Sequence, residues 1–262
     1  ACPLIMPKLA FIGSGRMAGA MVQGLLRSGA CAPADITVIG GNDSTAVDLS
    51  KATGVRVAAT PAELLAGADA IVLACKPQQF ADLDKSYATL AQGKLVLSIL
   101  AGTRLATIGA FFSSARNVAR AMPNTPAAIG RGITAIVGND YASAAHMDMA
   151  ETLLRAVGQV VRLDDEGQMD AVTAVSGSGP AYVFHLIETL AAAGEAEGLS
   201  ADLAMILAKA TVGGAGQLAE DAVECPDQLR INVTSPNGTT QAALEVLMND
   251  TDGFPQLLIR AV

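Results

Sequence analysis

The sequence predicts an α/β protein with a doubly wound parallel sheet, followed by an all-α domain. Three observations predict this fold. Short apolar segments alternate with helical patterns from residue 8 to about residue 161, as in parallel sheets with right-handed crossovers. A glycine-rich segment separates the first strand from the first helix. Beyond residue 165, apolar residues recur only at helical spacing. We therefore predict two domains, at residues 1–164 and 165–262.

The composition fits two modest domains with a sizeable core. Of 262 residues, 51% are apolar and 16% are charged. No uninterrupted apolar run reaches the ~18 residues of a membrane span, and residues 1–7 lack the features of a signal peptide. We therefore expect no membrane association. Cys2, Cys31, Cys75 and Cys225 form no CxxC pair, so we predict neither a metal site nor a disulfide framework, and a reduced cytoplasmic setting.

The formal net charge of −8 is distributed unevenly. Residues 1–150 carry 12 Lys and Arg against 9 Asp and Glu, whereas residues 151–262 carry 5 against 16. The mildly basic first part suggests an anionic ligand there. The acidity of the whole chain argues against nucleic-acid binding.

The first strand and helix carry a dinucleotide motif. Residues 8–12 are predicted as a buried strand and residues 17–27 as a helix. Between them, Gly13-Ser14-Gly15-Arg16-Met17-Ala18 fits GxGxxA. In this motif Gly13 permits the tight turn, Gly15 lets the backbone approach a pyrophosphate, and Ala18 lets the helix pack closely. The first domain is therefore predicted to be Rossmann-like and to bind a dinucleotide.

The second strand, residues 36–39, ends at Gly40-Gly41-Asn42. NAD-specific folds place an acidic residue at this exit, where it bonds the ribose 2′-hydroxyl. Its absence favours NADP, although no basic residue follows closely. Asn42, Ser44 and Thr45 either bind a phosphate or cap the next helix, and the sequence leaves both open.

Later strands are predicted at residues 55–57, 70–74, 95–99, 117–121 and 133–137. Lys76 follows one of them, where it either contacts a cofactor or is an ordinary surface lysine. Met122-Pro123-Asn124-Thr125-Pro126 forms a rigid turn. That turn either faces a ligand or is purely structural.

The second domain is predicted to consist of helices at about residues 181–194, 200–220 and 254–262. The Ala/Gly-rich face at residues 212–216 suits close helix contact and hence oligomerisation. Asp164-Asp165-Glu166 is predicted as a solvated helix start. His146 and His185 match no catalytic or metal motif and are interpreted as structural.

Residues 232–240 are small, hydroxylated and turn-forming. Pro236 and Asn237-Gly238 predict a tight turn, and Thr239 or Thr240 then begins a helix. Unpaired N–H groups at such a helix start suit a carboxylate or phosphate, although an ordinary capped loop has the same pattern. The chain offers few strong acids or bases near this turn. That composition suits hydride transfer to an activated acceptor such as a protonated imine.

These motifs together resemble the pyrroline-5-carboxylate reductase family over nearly the whole chain. The matching segments are residues 11–18, Cys75-Lys76-Pro77-Gln78, residues 122–126, residues 176–182 and residues 233–240. The last two, in this order, are specific to the family. Asn237 stands where the family usually has Gly, and Asn tolerates the left-handed conformation that a turn requires.

The resemblance implies a Rossmann domain and a helical domain that interlocks two subunits in a homodimer, which some members assemble into a decamer. It implies reduction of L-Δ1-pyrroline-5-carboxylate to L-proline with NADPH or NADH, the last step of proline biosynthesis. Thr240 would be the catalytic residue and hydrogen-bond the ring nitrogen, while Ser235, Gly238 and Thr239 would hold the carboxylate. The implied cofactor residues are Gly13, Ser14, Gly15, Arg16 and Met17 at the pyrophosphate, Lys76, Pro77 and Asn124 near the ribose and nicotinamide, and also Asn42 and Ala74.

Two rival hypotheses remain at this point. A β-hydroxyacid dehydrogenase-like protein would share the layout but need a catalytic lysine in the helical domain. Lys209 is the only lysine after residue 150, and its neighbours do not match that motif. A non-catalytic dinucleotide-binding scaffold would have no need of the Thr240 hydroxyl.

Overall fold

The computed structural model describes residues 7–41 and 43–262. The chain divides into two compact units, of which the first ends at Ser178 and the second runs from Gly179 to Val262. The boundary predicted from the sequence, between residues 164 and 165, lies 14 residues before this division.

The first unit is built on an eight-stranded sheet with the order β3-β2-β1-β4-β5-β6-β7-β8. Its strands are β1 (Leu9–Ile12), β2 (Ile36–Ile39), β3 (Arg56–Val57), β4 (Ala70–Leu73), β5 (Leu95–Ser98), β6 (Val118–Met122), β7 (Gly132–Gly138) and β8 (Gly158–Arg162). All strands predicted from the sequence are present, with bounds that differ by one residue at most.

Strands β1 to β6 are all parallel to one another. β7 runs antiparallel to β6, and β8 is parallel to β7. The alternation of strands and helices predicts a parallel sheet, and the reversal at β7 departs from it. The physical reason is the short connection between β6 and β7: Pro123 to Arg131 form a 3-10 turn at Thr125–Ile129, too short for a crossover helix.

Helices cover both faces of the sheet. They are α1 (Arg16–Arg27), α2 (Thr45–Thr53), α3 (Pro61–Leu65), α4 (Ser86–Leu90), α5 (Leu105–Phe111), α6 (Ala144–Arg155) and α7 (Met169–Val172). Side chains of α1, α2 and α6 form one core cluster and those of α3, α4 and α5 the other. The residues of β1 alternate between these two clusters: Leu9 and Phe11 belong to the first, and Ala10 and Ile12 belong to the second. A strand buried on both faces reads as continuously apolar.

The start of α3 follows the capping pattern of its sequence. The Thr60 hydroxyl accepts a hydrogen bond from the Glu63 N–H, and the Glu63 carboxylate accepts one from the Ala59 N–H at 2.9 Å. Pro61 occupies the first helical position, where its missing N–H costs nothing.

The first unit ends in a π-helical turn, Thr173–Gly177. In this turn the hydrogen bond spans five residues instead of four: the Ser178 N–H donates to the Thr173 carbonyl at 2.8 Å. Pro180 explains the widening. An α-helix would pair the Ser176 carbonyl with the N–H of residue 180, but proline has no N–H and its ring clashes with that carbonyl. The sequence pattern did not predict this turn.

The second unit is all helical. Its helices are α8 (Gly179–Ala196), α9 (Ala201–Asp221), α10 (Pro226–Asn232), α11 (Thr239–Leu247) and α12 (Phe254–Ala261). α8 and α9 pack together around Ala191, Ala204 and Ala208. A Cβ on Gly194 would stand 3.4 Å from the Cβ of Ala204, so small residues bring the two helices close.

Candidate functional site

Parallel strands β1, β2, β4, β5 and β6 end at one edge of the sheet, here called the carboxyl edge. Dinucleotides bind in the crevice outside this edge, where the order of the strands reverses. In this sheet the reversal lies between β1 and β4. The segments that follow these strands therefore form the candidate cofactor site.

The glycine loop after β1 has the geometry that its motif predicts. Gly13 has φ +109°, and a Cβ there would stand 2.4 Å from the Ala74 carbonyl oxygen. Glycine is thus required both for the conformation and for the approach of β4. At Gly15, no atom of the described residues lies within 4 Å of where a Cβ would stand. Gly15 precedes α1, whose first-turn N–H groups have no partner within the helix.

The loop after β2 is tied to the glycine loop by a chain of hydroxyl groups. Asn42, one of the predicted cofactor residues, lies outside the described residues. Ser14 Oγ and Thr45 Oγ1 are 2.6 Å apart, and Thr45 Oγ1 donates to Asp43 Oδ1 at 2.6 Å. Because the Thr45 hydroxyl hydrogen goes to Asp43, the Ser14 hydroxyl is the donor to Thr45. Gly40 makes room for this arrangement, since a Cβ there would stand 3.1 Å from Ser14 Oγ.

Asp43 is the charged group at this exit. Hydrogen bonds from the Thr45 hydroxyl and N–H lower the pKa of its carboxyl, and the Lys76 ammonium lowers this pKa further. The carboxylate is therefore charged at neutral pH. At Ser44 and Thr45 neither alternative is decided: Ser44 Oγ donates to the Asp48 carboxylate at 2.7 Å and makes no side-chain cap of α2, and the Thr45 N–H donates to Asp43.

The exit of β4 lies beside the glycine loop. The Ala74 N–H donates to the Ile12 carbonyl at 2.8 Å, which fixes the two exits in register. Lys76 and Pro77 follow on the surface, and the Lys76 side chain is exposed. Its charge is free to meet an anionic ligand on this edge.

Asn124 follows β6 and is 8% exposed. Its Oδ1 accepts a hydrogen bond from the Ile133 N–H at 3.0 Å, and its Nδ2 donates to the Ser176 carbonyl at 3.1 Å. Both ends of this amide are therefore bonded to backbone groups within the first unit.

The Glu166 side chain is only a quarter exposed and is ion-paired, which departs from the solvated helix start predicted at residues 164–166. Its Oε1 accepts from Arg120 Nη1 at 3.0 Å and from the Leu105 N–H at 2.7 Å. Arg120 lies on β6 and is 3% exposed. A carboxylate at the start of α5 compensates this buried charge. One signal of this ion pair is visible in the sequence, an arginine inside an apolar strand.

The second unit carries the predicted turn. Asn237 has φ +60°, as expected for the family's glycine position. The Gly238 N–H donates to the Ser235 carbonyl at 3.1 Å, and the Asn237 N–H donates to Gln241 Oε1 at 2.8 Å. Thr239 and Thr240 then begin α11, where an α-helix leaves their N–H groups without an internal partner. Hydroxyl and N–H donors are thus collected on one short turn.

The two histidines have structural partners. His146 completes a capping box with Ser143 at the start of α6, and His185 lies 3.2 Å from Glu188 on the surface of α8. In residues 7–41 and 43–262, no group of three or more His, Cys, Asp or Glu side chains is placed to hold a metal ion. None of the described helices has the length and hydropathy to cross a bilayer.

The strand order, the glycine loop and the open start of α1 fit a dinucleotide. They define a nucleotide-dependent oxidoreductase with a Rossmann domain and a separate helical domain. Comparisons with known proteins narrow this class. Residues 8–102 match the family model "NADP oxidoreductase coenzyme F420-dependent", and residues 166–262 match "Pyrroline-5-carboxylate reductase dimerisation".

The chain belongs to the pyrroline-5-carboxylate reductase family. It is 41% identical to the pyrroline-5-carboxylate reductase of Pseudomonas aeruginosa, over 98% of this chain and 93% of that protein. It is also 41% identical to the pyrroline-5-carboxylate reductase of Synechocystis sp., over 97% of this chain and 94% of that protein. The structure of a pyrroline-5-carboxylate reductase from Coxiella burnetii matches with a TM-score of 0.91 and 33% identity, over 98% and 94% of the chains. A Plasmodium falciparum pyrroline carboxylate reductase with NADP bound matches with a TM-score of 0.84 and 27% identity, over 97% and 94%.

Proposed function

We propose that this protein reduces L-Δ1-pyrroline-5-carboxylate to L-proline with NADPH, and with NADH as a second donor, in the last step of proline biosynthesis. The observation that carries the proposal is the hydroxyl-rich turn before α11, in a chain 41% identical over 98% of its length to a reductase of this name. When bound at the carboxyl edge, the nicotinamide supplies the hydride.

The turn before α11 is assigned to the substrate. The Ser235 hydroxyl and the N–H groups of Gly238 and Thr239 hold the carboxylate, where the positive end of the helix favours an anion. The Gly238 N–H shares its present bond to the Ser235 carbonyl with the substrate. No cationic side chain is needed, because N–H groups and the helix start provide the positive potential.

Thr240 is assigned to the reacting bond. Its hydroxyl oxygen accepts a hydrogen bond from the N–H of the protonated imine, which orients the C=N bond. The proton stays on the ring nitrogen while the ring carbon receives the hydride, so the amine forms without a separate acid. This explains how a turn without a strong acid or base serves a reductase.

The carboxyl edge is assigned to the cofactor. Gly13, Ser14, Gly15, Arg16 and Met17 meet the pyrophosphate at the start of α1. Asn42 follows β2 in the sequence and is assigned to the adenosine half of the cofactor. The exits of β4 and β6 then serve the nicotinamide half, through Ala74, Lys76, Pro77 and Asn124. The open space at Gly15 supports this assignment.

The proposed working unit is a homodimer in the cytoplasm, with a decamer as a further assembly. Exposed apolar side chains on the two long helices of the second unit support dimerisation, among them Phe184 at 57% and Ile206 at 63% exposure. The free thiols of Cys31, Cys75 and Cys225 support a reducing compartment.

The test is oxidation of NADPH or NADH, followed at 340 nm, by purified protein supplied with L-Δ1-pyrroline-5-carboxylate. We expect turnover with both cofactors and L-proline as product. A control with a 2-hydroxyacid or 3-hydroxyacid substrate separates this function from that of a hydroxyacid dehydrogenase. No turnover of the imine with either cofactor would refute the proposal.

Thr240→Ala tests the role of the hydroxyl group. We expect kcat to fall by about 10- to 100-fold, which corresponds to roughly 1.4 to 2.7 kcal/mol, whereas Thr240→Ser should retain most of the activity. An unchanged kcat in Thr240→Ala would show that another group binds the ring nitrogen.

A further inference from the structure

A bound dinucleotide would place its nicotinamide half on the β4–β5–β6 side of the carboxyl edge. This follows from the fold, because the adenosine ribose belongs at the exit of β2 and the dinucleotide crosses the switch point between β1 and β4. The last residue of β6 and the segment after it, Met122 to Ile129, therefore form a wall of the reacting half. The interactions that hold this wall in place therefore influence the position of the carbon that exchanges the hydride.

The wall after β6 is bonded to the π-helical turn Thr173–Gly177. Asn124 Nδ2 donates to the Ser176 carbonyl at 3.1 Å. Met122 adds packing, since a Cβ on Gly177 would stand 2.7 Å from Met122 Cε. Glycine at 177 thus permits the close approach that the Asn124 bond requires.

The Ser176 carbonyl needs a donor from outside its own helix. Proline at 180 removes the N–H that an α-helix would offer to this carbonyl. Leaving this half-buried carbonyl without a partner is unfavourable, and the amide of Asn124 supplies the bond. Asn124 Oδ1 is held by the Ile133 N–H at 3.0 Å, so the side chain cannot rotate away without breaking two bonds.

We propose that Asn124 is a positioning residue. Its amide joins the wall after β6 to the Ser176 carbonyl, to which Pro180 can offer no N–H. This bond holds the wall in place for the nicotinamide half of the cofactor. This inference rests on the proposed function for its catalytic consequence. The two hydrogen bonds themselves belong to the protein without cofactor.

The first test is Asn124→Asp, which keeps an oxygen for the Ile133 N–H but removes the donor to Ser176. Without cofactor, hydrogen exchange of the amides in residues 173–178 should become at least about tenfold faster. With cofactor and imine, kcat should fall about 10- to 100-fold, with a much smaller change in the Kd of NADPH. If Asn124→Asp does not fold, Asn124→Ser is measured in its place, because the serine side chain is too short for its hydroxyl to reach the Ser176 carbonyl.

Ser176→Ala is the matched control. It removes only the hydroxyl, which donates to the Val172 carbonyl at 3.0 Å, and it leaves the backbone carbonyl in place. Wild-type exchange and wild-type kcat are expected. An equal loss in Ser176→Ala would overturn the proposal, because the effect would then come from general damage to the turn.

A second background tests the part played by proline. Pro180→Ala provides an N–H at the position that serves residue 176 in an α-helix. In the Pro180→Ala background, the factor by which Asn124→Asp lowers kcat should be at least about threefold smaller than in the wild-type background. Equal losses in both backgrounds would overturn the proposal.

The two proposals fail in different ways. A protein that does not reduce the imine, but whose residues 173–178 lose protection in Asn124→Asp, refutes the function and keeps the positioning role. Loss of kcat without any change in exchange shows instead that Asn124 acts on the cofactor directly, and overturns the positioning role.

Discussion

At the scale of single residues, the two glycines of the loop after β1 have separable tasks. Gly13 has φ +109° and no room for a side chain, whereas Gly15 has an ordinary φ of −70° and open space beside it. Sequence patterns treat both as members of one motif. The geometry requires the first for the fold, and we propose that the second serves the ligand.

Alanine substitutions should reveal this difference. Gly13→Ala should lower the free energy of unfolding by about 2 to 4 kcal/mol, because a strained φ is added to a backbone clash. Gly15→Ala should leave stability unchanged but weaken NADPH binding by at least about tenfold, because its methyl group occupies the space for the pyrophosphate. Urea unfolding and fluorescence titration measure the two quantities. Wild-type NADPH affinity in Gly15→Ala would contradict the assignment of the loop.

Asp43 places a negative charge where the fold puts the 2′-substituent of the adenosine ribose. Asp43→Asn keeps the oxygen that Thr45 bonds and removes the charge. The ratio of kcat/KM for NADPH over NADH should rise roughly 3- to 10-fold at low salt, and the gain should shrink at about 0.5 M salt.

Asp35→Asn is the control for Asp43→Asn. Asp35 accepts from the Ala32 N–H and directly precedes β2, so it lies at the opposite edge of the sheet. An equal rise of the ratio in Asp35→Asn would mean that net charge, rather than the position of Asp43, determines cofactor preference.

At the scale of elements, the sequence predicts those features that depend on a local pattern of residues. The strands of the sheet were confirmed, because apolar runs act within a few residues, and the capping of α3 by Thr60 and Glu63 obeys an equally local rule. The left-handed turn at Asn237 was also confirmed. Local pattern did not predict the reversal of β7, because strand direction depends on how the chain returns over the sheet.

Pairings across long sequence separations were also not predictable. Arg120 and Glu166 are 46 residues apart, and the run Asp164-Asp165-Glu166 has the composition of a solvated segment. The bond between Asn124 and Ser176 spans 52 residues. The predicted domain boundary after residue 164 stays a prediction, although Glu166 and the fully buried Met169 tie the following segment to the first unit.

The Arg120–Glu166 pair should contribute strongly to stability, because it joins β6, the start of α5 and the segment before α7. Arg120→Ala leaves the Glu166 carboxylate without its cation. We expect a loss of about 2 to 4 kcal/mol in the free energy of unfolding, at the lower part of the range for buried pairs because Glu166 is a quarter exposed. Urea denaturation measures this loss.

Arg155→Ala is the matched control for Arg120→Ala. Arg155 pairs with Glu151 one turn earlier on the exposed face of α6, and such pairs contribute little. Its unfolding midpoint should match the wild type. Equal midpoints for the two variants would contradict the view that burial distinguishes the two pairs.

At the scale of the whole molecule, the second unit is too exposed to be complete by itself. Of the 18 residues of α8 only Ala191 is buried, and of the 21 residues of α9 only Ala204 and Ala208. Apart from the adjoining residues and the backbone of α9 itself, no described atom lies within 4 Å of where a Cβ would stand on Gly213, Gly214 or Gly216. Exposed apolar helices are covered in a working protein, and we propose that a second copy of this chain covers these.

Ile206→Asp tests this view of the assembly. A charge in the middle of α9, at a side chain that is 63% exposed in the single chain, should prevent a copy from covering that helix, because an unpaired charge is costly to bury. Light scattering after gel filtration should give at least twice the chain mass for the wild type and a smaller mass for Ile206→Asp. The control is Ile129→Asp, at an apolar side chain that is 74% exposed on the first unit, which should keep the wild-type mass. A wild-type protein that remains a monomer would contradict the proposed dimer, and an unchanged mass in Ile206→Asp would exclude α9 from its interface.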